Sequence, residues 1–178
     1  MRVIAGDLKG QKLFSPVNRD VRPTSDKVKG AIFSMIFDAL DGAQVLDLFA
    51  GTGNLGIEAL SRGASHCVFC DREDESIAVI SKNLQKTGVA HKSTLVHGDY
   101  HRALKYGKMD LIFADPPYGQ GLCRKVLTAV SERDILSEDG LLVLERGDGE
   151  PNPGETESLA LVKSKRYGRT WVDIYRRL

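Results

Sequence analysis

A strand-like segment that leads directly into closely spaced glycines constrains the fold of this chain more than any other feature. The mainly apolar segment Val45-Leu46-Asp47-Leu48 predicts a buried strand, and glycines follow with the spacing G-x-G-x-x-G, at Gly51, Gly53 and Gly56. A helical pattern comes next, so the sequence predicts a strand, a tight turn and a helix in succession. That order is typical of a parallel α/β sheet whose first turn binds a nucleotide-like cofactor.

Two acidic residues near this turn distinguish between cofactor classes. Asp71 ends the next apolar segment, twenty positions after Gly51, where a ribose-binding carboxylate is expected. Asp47 precedes the turn, where its charge would repel a pyrophosphate but would accept from a cationic amino group. The chain is also too short for a second mononucleotide-binding half. We therefore expect S-adenosylmethionine rather than a nicotinamide dinucleotide.

Strand-like and helix-like segments alternate along most of the chain. Strands are predicted near residues 43–48, 66–71, 93–97, 109–114 and 140–145. Helices are predicted near residues 54–62, 74–87 and 120–133. This alternation indicates a parallel sheet with helices on both faces.

The N-terminal residues depart from the alternation. Residues 2–5 and 11–14 predict a short β-hairpin, and Thr24 or Ser25 is expected to cap the helix that follows. We therefore predict that residues 1–22 form an N-terminal β-hairpin extension.

The C-terminal residues are expected to complete the same domain. Two final strands, near residues 158–165 and 170–176, would pair across the turn at Tyr167 and Gly168. A chain of 178 residues can bury a substantial core without disulfides or metals. We therefore predict a single domain spanning residues 1–178.

The composition argues against a membrane or metal-binding protein. The chain is 42% hydrophobic and 28% charged, and no apolar run approaches the ~20 residues that cross a bilayer. Cys67 and Cys70 have C-x-x-C spacing but lie in a predicted strand without a second ligand pair, so no metal is expected. The N-terminus lacks a signal peptide's apolar segment, so we expect a cytoplasmic protein, with a monomer as the default.

The net charge of +1 conceals an uneven distribution. Residues 1–30 hold seven Lys/Arg against three Asp, a net charge of +4, and residues 162–178 hold six against one, a net charge of +5. The rest of the chain therefore has a net charge of −8. Basic ends beside an acidic body indicate a polyanionic partner, although solvated surface charge is the alternative.

A second motif, Asp115-Pro116-Pro117-Tyr118, follows the apolar residues 111–114. The prolines remove backbone donors and stiffen the segment, so it presents acceptors beside a flat ring at the C-terminal end of a strand. Such a site suits a planar group that bears an NH2, such as a nucleobase edge. A Pro-rich turn without function is the alternative, and the upstream glycine turn makes it less favoured.

Four segments together resemble the RsmD family of bacterial methyltransferases. They are residues 22–29 (R-P-T-S-D-K-V-K), 47–53 (D-L-F-A-G-T-G), 56–64 (G-I-E-A-L-S-R-G-A) and 115–118 (D-P-P-Y). The resemblance implies methylation of the exocyclic N2 of guanine 966 in 16S rRNA. It also implies a class I, Rossmann-like fold: a seven-stranded, mostly parallel sheet with its last strand antiparallel, preceded by an N-terminal β-hairpin. By the same resemblance, this hairpin, residues 1–22, would contact RNA.

The resemblance also implies roles for individual residues. The catalytic residues would be Asp115, Pro116, Pro117 and Tyr118. The cofactor-binding residues would be Asp47, Phe49, Ala50, Gly51, Gly53, Asp71, Arg72, Asp99 and Tyr100. The RNA-binding residues would be Arg2, Lys9, Lys12, Arg22, Thr24, Lys27 and Lys29. Lys29 stands where arginine is expected in many members, which keeps the charge but loses bidentate phosphate geometry.

Three alternatives remain at this point. An adenine-N6 methyltransferase of DNA or RNA would use the same acceptor geometry. A nicotinamide oxidoreductase would share the glycine turn but leave the D-P-P-Y motif unexplained. A non-catalytic RNA-binding assembly factor would need only the basic ends. The form of the substrate also stays open between naked 16S rRNA, a small-subunit particle carrying ribosomal proteins, and a finished subunit.

Overall fold

The computed structural model describes residues 1–16 and 25–178, and its centre is a seven-stranded sheet. The strands are β1 Gln44–Asp47, β2 His66–Asp71, β3 Ser93–His97, β4 Met109–Ala114, β5 Leu136–Gly147, β6 Leu159–Tyr167 and β7 Thr170–Arg177. Their order is β3-β2-β1-β4-β5-β7-β6. β7 is antiparallel to both of its neighbours, whereas β1 to β5 pair in parallel. The predicted sheet, with its last strand antiparallel, is therefore confirmed.

Helices cover both faces of the sheet. They are α1 Asp26–Met35, α2 Asn54–Ser61, α3 Asp74–Thr87 and α4 Leu122–Glu132, with 3-10 helices at Phe37–Ala39, Ala90–Lys92 and Tyr100–Lys105. α1, α2 and α3 pack on one face, and α4 with the helix Tyr100–Lys105 packs on the other. The central strands are nearly continuous apolar runs because both of their faces are covered.

The strand order reverses between β1 and β4, and this position determines where a ligand can bind. β1 pairs with β2 on one side and with β4 on the other, so the connections that follow β1 and β4 diverge. Open α/β sheets bind ligands in the crevice at such a point, beyond the carboxyl ends of the strands. Both sequence motifs, the glycine turn after β1 and the D-P-P-Y segment after β4, lie there.

The N-terminal hairpin is present as a single bridge, between Arg2 and Lys12, rather than as two strands. The reason is that α2 takes the backbone donors of this segment. Glu58 accepts hydrogen bonds from the amides of Ile4 and Ala5, each at 3.0 Å. A side chain at Gly6 would collide with α2, so the segment lies directly on that helix.

The caps and the cysteines also follow local rules. Ser25 is the N-cap of α1, and its hydroxyl accepts from the amide of Val28 at 3.3 Å, whereas the alternative cap Thr24 lies outside the described residues. Cys67 and Cys70 are three positions apart in β2, so they pack on opposite faces of the sheet.

Among residues 1–16 and 25–178, no His, Cys, Asp or Glu cluster is suited to a metal ion. None of the helices in these ranges could cross a membrane.

Candidate active site

The glycine turn after β1 is open where a ligand would approach it. Gly51 and Gly53 have φ of 58° and 78°, the left-handed region that glycine adopts without strain, and Gly53 caps α2. The position of a Cβ on Gly51 has no atom within 4 Å. Buried Ala50 anchors the turn, because its amide donates to the carbonyl of Cys70 at 2.9 Å. The backbone of the turn is thus fixed to β2 by a hydrogen bond, and it stays open at Gly51.

Asp71, at the end of β2, fixes the same turn through its carboxylate. One oxygen accepts from the amide of Gly51 at 2.8 Å, and the other accepts from the amide of Glu73 at 3.0 Å. Each carboxylate oxygen can accept a second hydrogen bond, so ribose hydroxyls can bind without displacing these amides. Neighbouring Arg72 is exposed and pairs with Glu73 at 3.0 Å. Its predicted contact with the cofactor stays a prediction.

Asp47 is buried beneath the turn and accepts from the amide of Gly56 at 3.1 Å. Burial raises the pKa of Asp47 to about 7; the Gly56 hydrogen bond opposes this increase, and the negative charges of Asp115 and Asp71 add to it. The structure thus brings three predicted site carboxylates, at the carboxyl ends of three adjacent strands, close enough to affect one another. A cation bound among them would favour the ionised form of Asp47.

Aromatic rings and one further carboxylate form the side of the crevice next to β3. Asp99 is exposed and caps the helix Tyr100–Lys105 by accepting from the amide of His101 at 3.0 Å. The buried ring of Tyr100 lies 5.4 Å from Phe49 and 4.1 Å from His101, centroid to centroid. The sequence predicts a cofactor contact for Asp99, Tyr100 and Phe49, and the structure places these three residues near one another.

This donor and acceptor set fits S-adenosylmethionine. Its ammonium, ribose hydroxyls and adenine amino group all donate hydrogen bonds, and the crevice supplies the carboxylates of Asp47, Asp71 and Asp99 as acceptors. A dinucleotide pyrophosphate would instead place negative charge against these carboxylates. The open glycine turn and the aromatic rings complete a site for a cationic nucleoside.

The D-P-P-Y segment begins one residue after β4. Asp115 is half-buried, Pro116 is buried, Pro117 is exposed, and Tyr118 is half exposed. Burial and the negative charge of Glu150 raise the pKa of Asp115 to about 6. Within the part of the chain that the structure describes, no ion pair or side-chain hydrogen bond occupies Asp115. Its lone pairs are therefore available to a ligand.

The ring of Tyr118 is held in place by residues of β5 and β7. It packs on the backbone of Gly147, at the end of β5, where an added Cβ would lie 3.2 Å from two ring carbons. Its hydroxyl lies 3.4 Å from the Thr170 hydroxyl, at the start of β7. Burial and the charge of Asp115 raise the pKa of Tyr118 to about 12, so the ring stays neutral.

Glu150 belongs to this site, and sequence reasoning missed it. One carboxylate oxygen accepts from the amide of Gly119 at 3.0 Å and the other from the amide of Gly147 at 2.9 Å. Glu150 therefore ties the loop after Tyr118 to the end of β5. The sequence signal is weak, because Glu150 lies far along the chain in a segment recognised only by its glycines and prolines.

The prediction that Lys29 contacts RNA is wrong. Lys29 is fully buried, and its ammonium donates to the Arg2 carbonyl at 2.5 Å and to Asn54 at 2.7 Å and pairs with Glu58 at 3.0 Å. Burial lowers the pKa of Lys29, and the charge of Glu58 opposes this change. Lys29 shares a helix face with buried Ile32 and Phe33, three and four positions further on, and this spacing would have indicated burial.

The other predicted RNA-binding residues have different surroundings. Lys9, Lys12 and Lys27 are exposed, and Arg2 is exposed but pairs with Asp26 at 3.0 Å. Arg22 and Thr24 lie outside the described residues, as does the end of the extension, residues 17–22. A role in RNA binding stays a prediction for all of these residues.

The fold and this site define a class I S-adenosylmethionine-dependent methyltransferase. The family model described as conserved hypothetical protein 95 matches residues 1–176, and the chain belongs to that family, which is the RsmD family. The predicted family, fold class and cofactor are thereby confirmed.

Individual relatives resemble the chain along nearly its whole length. YlbH of Bacillus subtilis (strain 168) is 40% identical over 182 residues, which cover 99% of both proteins. Ribosomal RNA small subunit methyltransferase D of Escherichia coli (strain K12) is 29% identical over 179 residues, covering 99% of this chain and 90% of the relative. The solved structure of yhhF from Escherichia coli has a TM-score of 0.89 and 29% identity, covering 99% of this chain and 97% of that one.

Proposed function

We propose that this protein transfers a methyl group from S-adenosylmethionine to the exocyclic N2 of a guanine in 16S rRNA, with guanine 966 the expected position. One observation supports the proposal most: Asp115, which has no ion pair among the described residues, and the half-exposed ring of Tyr118 lie at the switch point beside the cofactor turn. Support for rRNA comes from the relatives, since the Escherichia coli protein is named for the small ribosomal subunit.

The residues of the D-P-P-Y segment would orient the amine. Guanine N2 is a weak nucleophile because its lone pair is delocalised into the ring. Hydrogen bonds from the NH2 group to the Asp115 carboxylate and the Pro116 carbonyl would favour a pyramidal nitrogen and localise that pair. Stacking on Tyr118 would fix the plane of the base. When bound, S-adenosylmethionine supplies an electrophilic methyl group.

Positioning and proton acceptance would account for most of the acceleration. A reacting distance of roughly 3–3.5 Å is required, and the rigid Pro116 and Pro117 help to maintain it. With a pKa of about 6, Asp115 is largely ionised at neutral pH. It would accept the N2 proton as positive charge develops on the nitrogen, with no need to deprotonate the neutral amine first.

The substrate base would have to leave its stack to reach Tyr118. A loop, or RNA that is not fully assembled, lowers that cost. We therefore propose a small-subunit particle carrying ribosomal proteins as the substrate, methylated in the cytoplasm by a monomer, with residues 1–22 contacting RNA as part of the single domain.

Methylation of RNA from a deletion strain tests the proposed function. Small subunits and free 16S rRNA from a strain lacking this protein are incubated with the enzyme and labelled S-adenosylmethionine, and nucleosides are identified by mass spectrometry. N2-methylguanosine is the expected product, and primer extension locates it. N6-methyladenosine would instead support the adenine alternative. Absence of product from an enzyme that still binds S-adenosylhomocysteine would contradict the proposal.

A further inference from the structure

The turn between β6 and β7 places a dense positive charge beside residues 115–118, the proposed acceptor site. Residues 163–169, K-S-K-R-Y-G-R, contain four basic residues and no acidic one. Thr170, the first residue of β7, lies next to Tyr118, with 3.4 Å between the two hydroxyl oxygens. The tip of this hairpin is therefore a direct neighbour of the ring on which the target base is proposed to stack.

Strand alternation shows which side chains share the face of Thr170. Cross-strand partners in a sheet point to the same face, and alternate residues of a strand do as well. Tyr167 pairs with Thr170, and Lys165 pairs with Val172, which belongs to the same apolar core as the buried residues of α1. The hydroxyl of Tyr167 is directed toward Met35 of α1, at 4.0 Å. Lys165 and Tyr167 therefore lie on the same face as Thr170.

The charges on this face are available to a partner. Lys163 and Lys165 are exposed on β6, which is the edge strand of the sheet, and Arg169 is exposed in the turn. Among the residues that the structure describes, no carboxylate forms an ion pair with these three. Arg166 differs, because it points to the opposite face and pairs with Asp148 at 2.7 Å.

We infer that Lys163, Lys165 and Arg169 form an RNA-backbone contact, the basic tip, that holds the phosphates flanking the target nucleotide. The inference rests on the proposed function, since the base on Tyr118 determines which phosphates come near. Lys163 and Lys165 are about 6.6 Å apart along the strand. That spacing is comparable to the spacing of successive phosphates in an extended strand. The Lys165 ammonium lies 5.7 Å from the Tyr167 ring, so this aromatic accompanies the charges.

A charge-removal variant with a matched control tests the basic tip. Lys165→Gln with Arg169→Gln removes two charges there. Lys92→Gln with Arg133→Gln removes the same two charge types from exposed positions before β3 and β5, at the amino ends of the parallel strands and away from the β6–β7 turn. Binding of radiolabelled 16S rRNA is measured across a salt series. Two lost contacts to a single strand should reduce the slope of log affinity against log salt by about 1.4 and weaken binding about tenfold near 0.1 M salt.

The kinetic readout separates this role from a structural one. The Lys165/Arg169 variant should raise KM for RNA about tenfold, leave kcat unchanged, and keep the heat stabilisation by S-adenosylhomocysteine. Lys165→Arg with Arg169→Lys should restore KM, since it keeps both charges. If the Lys165/Arg169 variant and the Lys92/Arg133 control bind RNA with equal affinity and equal salt slope, the basic tip is not an RNA contact. That result would overturn the inference even if the wild type makes N2-methylguanosine. A wild type that makes no methylated guanine would overturn the proposed function instead, while the salt slopes still report on the tip.

Discussion

The N-terminal clamp and the acceptor site use charge in opposite ways. The clamp consists of Lys29, Glu58 and Arg62. Glu58 is fully buried and forms ion pairs with Lys29 at 3.0 Å and with Arg62 at 2.9 Å. Its carboxylate also accepts hydrogen bonds from two backbone amides. In the acceptor site, Asp115 is half-buried and keeps its lone pairs. Paired charges hold a segment in place, whereas a carboxylate with a raised pKa and no ion pair among the described residues is suited to binding a ligand.

The clamp also links the N-terminal segment to the cofactor turn. Lys29 donates to the Arg2 carbonyl and to Asn54, the first residue of α2 after Gly53. Asn83 of α3 makes a similar connection, because its amide bonds both the backbone of Phe14 and the carbonyl of Thr52. A segment expected to contact RNA is thus attached to the loop expected to contact the cofactor.

Removing the central carboxylate of the clamp should produce the largest effect. Glu58→Ala leaves the ammonium of Lys29 buried without its partner charge, so the free energy of unfolding should fall by about 3–5 kcal/mol in urea denaturation. Glu132→Ala, at an exposed position of α4, should change it by less than about 0.5 kcal/mol. A loss below about 1 kcal/mol for Glu58→Ala would mean that the buried charges are not needed to hold the segment.

Removing the acceptor carboxylate should affect the reaction and spare the fold. Asp115→Ala should lower kcat about 10²- to 10³-fold, because the amine loses the acceptor that orients it. Calorimetry should find the affinity for S-adenosylhomocysteine within about threefold of wild type. The exposed Asp139→Ala serves as control and should retain activity. Comparable losses of cofactor affinity and of rate would refute the assignment of Asp115 to the methyl acceptor.

The pH dependence should report the electrostatics of the acceptor site. Asp115 accepts only when ionised, so kcat/KM should fall as pH decreases through about 6, the raised pKa of its carboxyl in the free enzyme. Glu150→Gln removes a negative charge that raises this pKa, so the acidic limb should move to lower pH. It should also lower kcat roughly tenfold, since Gly119 or Gly147 loses its acceptor.

The Asp115 carboxyl should also affect the free energy of unfolding. Its contribution should decrease as pH rises, whereas kcat/KM should increase. A carboxyl with a folded pKa near 6 and an unfolded value of 3.8 binds its proton more tightly in the folded state, so its contribution to stability decreases as pH rises through that interval. As a control, Glu138→Gln changes an exposed residue at the start of β5. It should leave the pH dependence of kcat/KM and that of the free energy of unfolding unchanged. An acidic limb that does not move in Glu150→Gln would show that another group controls it.

Local patterns predicted most of the sheet and both motifs. The strands near 66–71, 93–97 and 109–114 have the predicted bounds, because apolar runs with glycine or polar residues at their ends are local signals. β5 begins earlier than predicted, at Leu136, because Leu136 pairs with Met109 across a break in register. Such an irregularity depends on the partner strand and leaves no local pattern.

Contacts between distant segments explain what the sequence could not predict. The helical spacing of Lys29 indicates the buried face of α1, but its charge partner, Glu58, lies 29 residues further on and leaves no local signal. Glu58 and Ser61 also take the backbone amides of the N-terminal segment, which limits its hairpin to one bridge. The role of Glu150 likewise depends on β5 and the D-P-P-Y loop meeting at one edge of the sheet.

The smallest expected effect tests how closely Tyr118 is positioned. Gly147→Ala places a Cβ 3.2 Å from two carbons of the Tyr118 ring, so the ring must shift by a few tenths of an ångström. The specificity constant for RNA should fall about fivefold, with cofactor affinity and unfolding free energy close to wild type. Gly149→Ala is a matched control two residues away, since its Cβ would meet nothing within 4 Å. Equal activity of the two variants would show that the base does not depend on the ring's position, and the contrast between a fixed clamp and a prepared acceptor site would then rest on Asp115 alone.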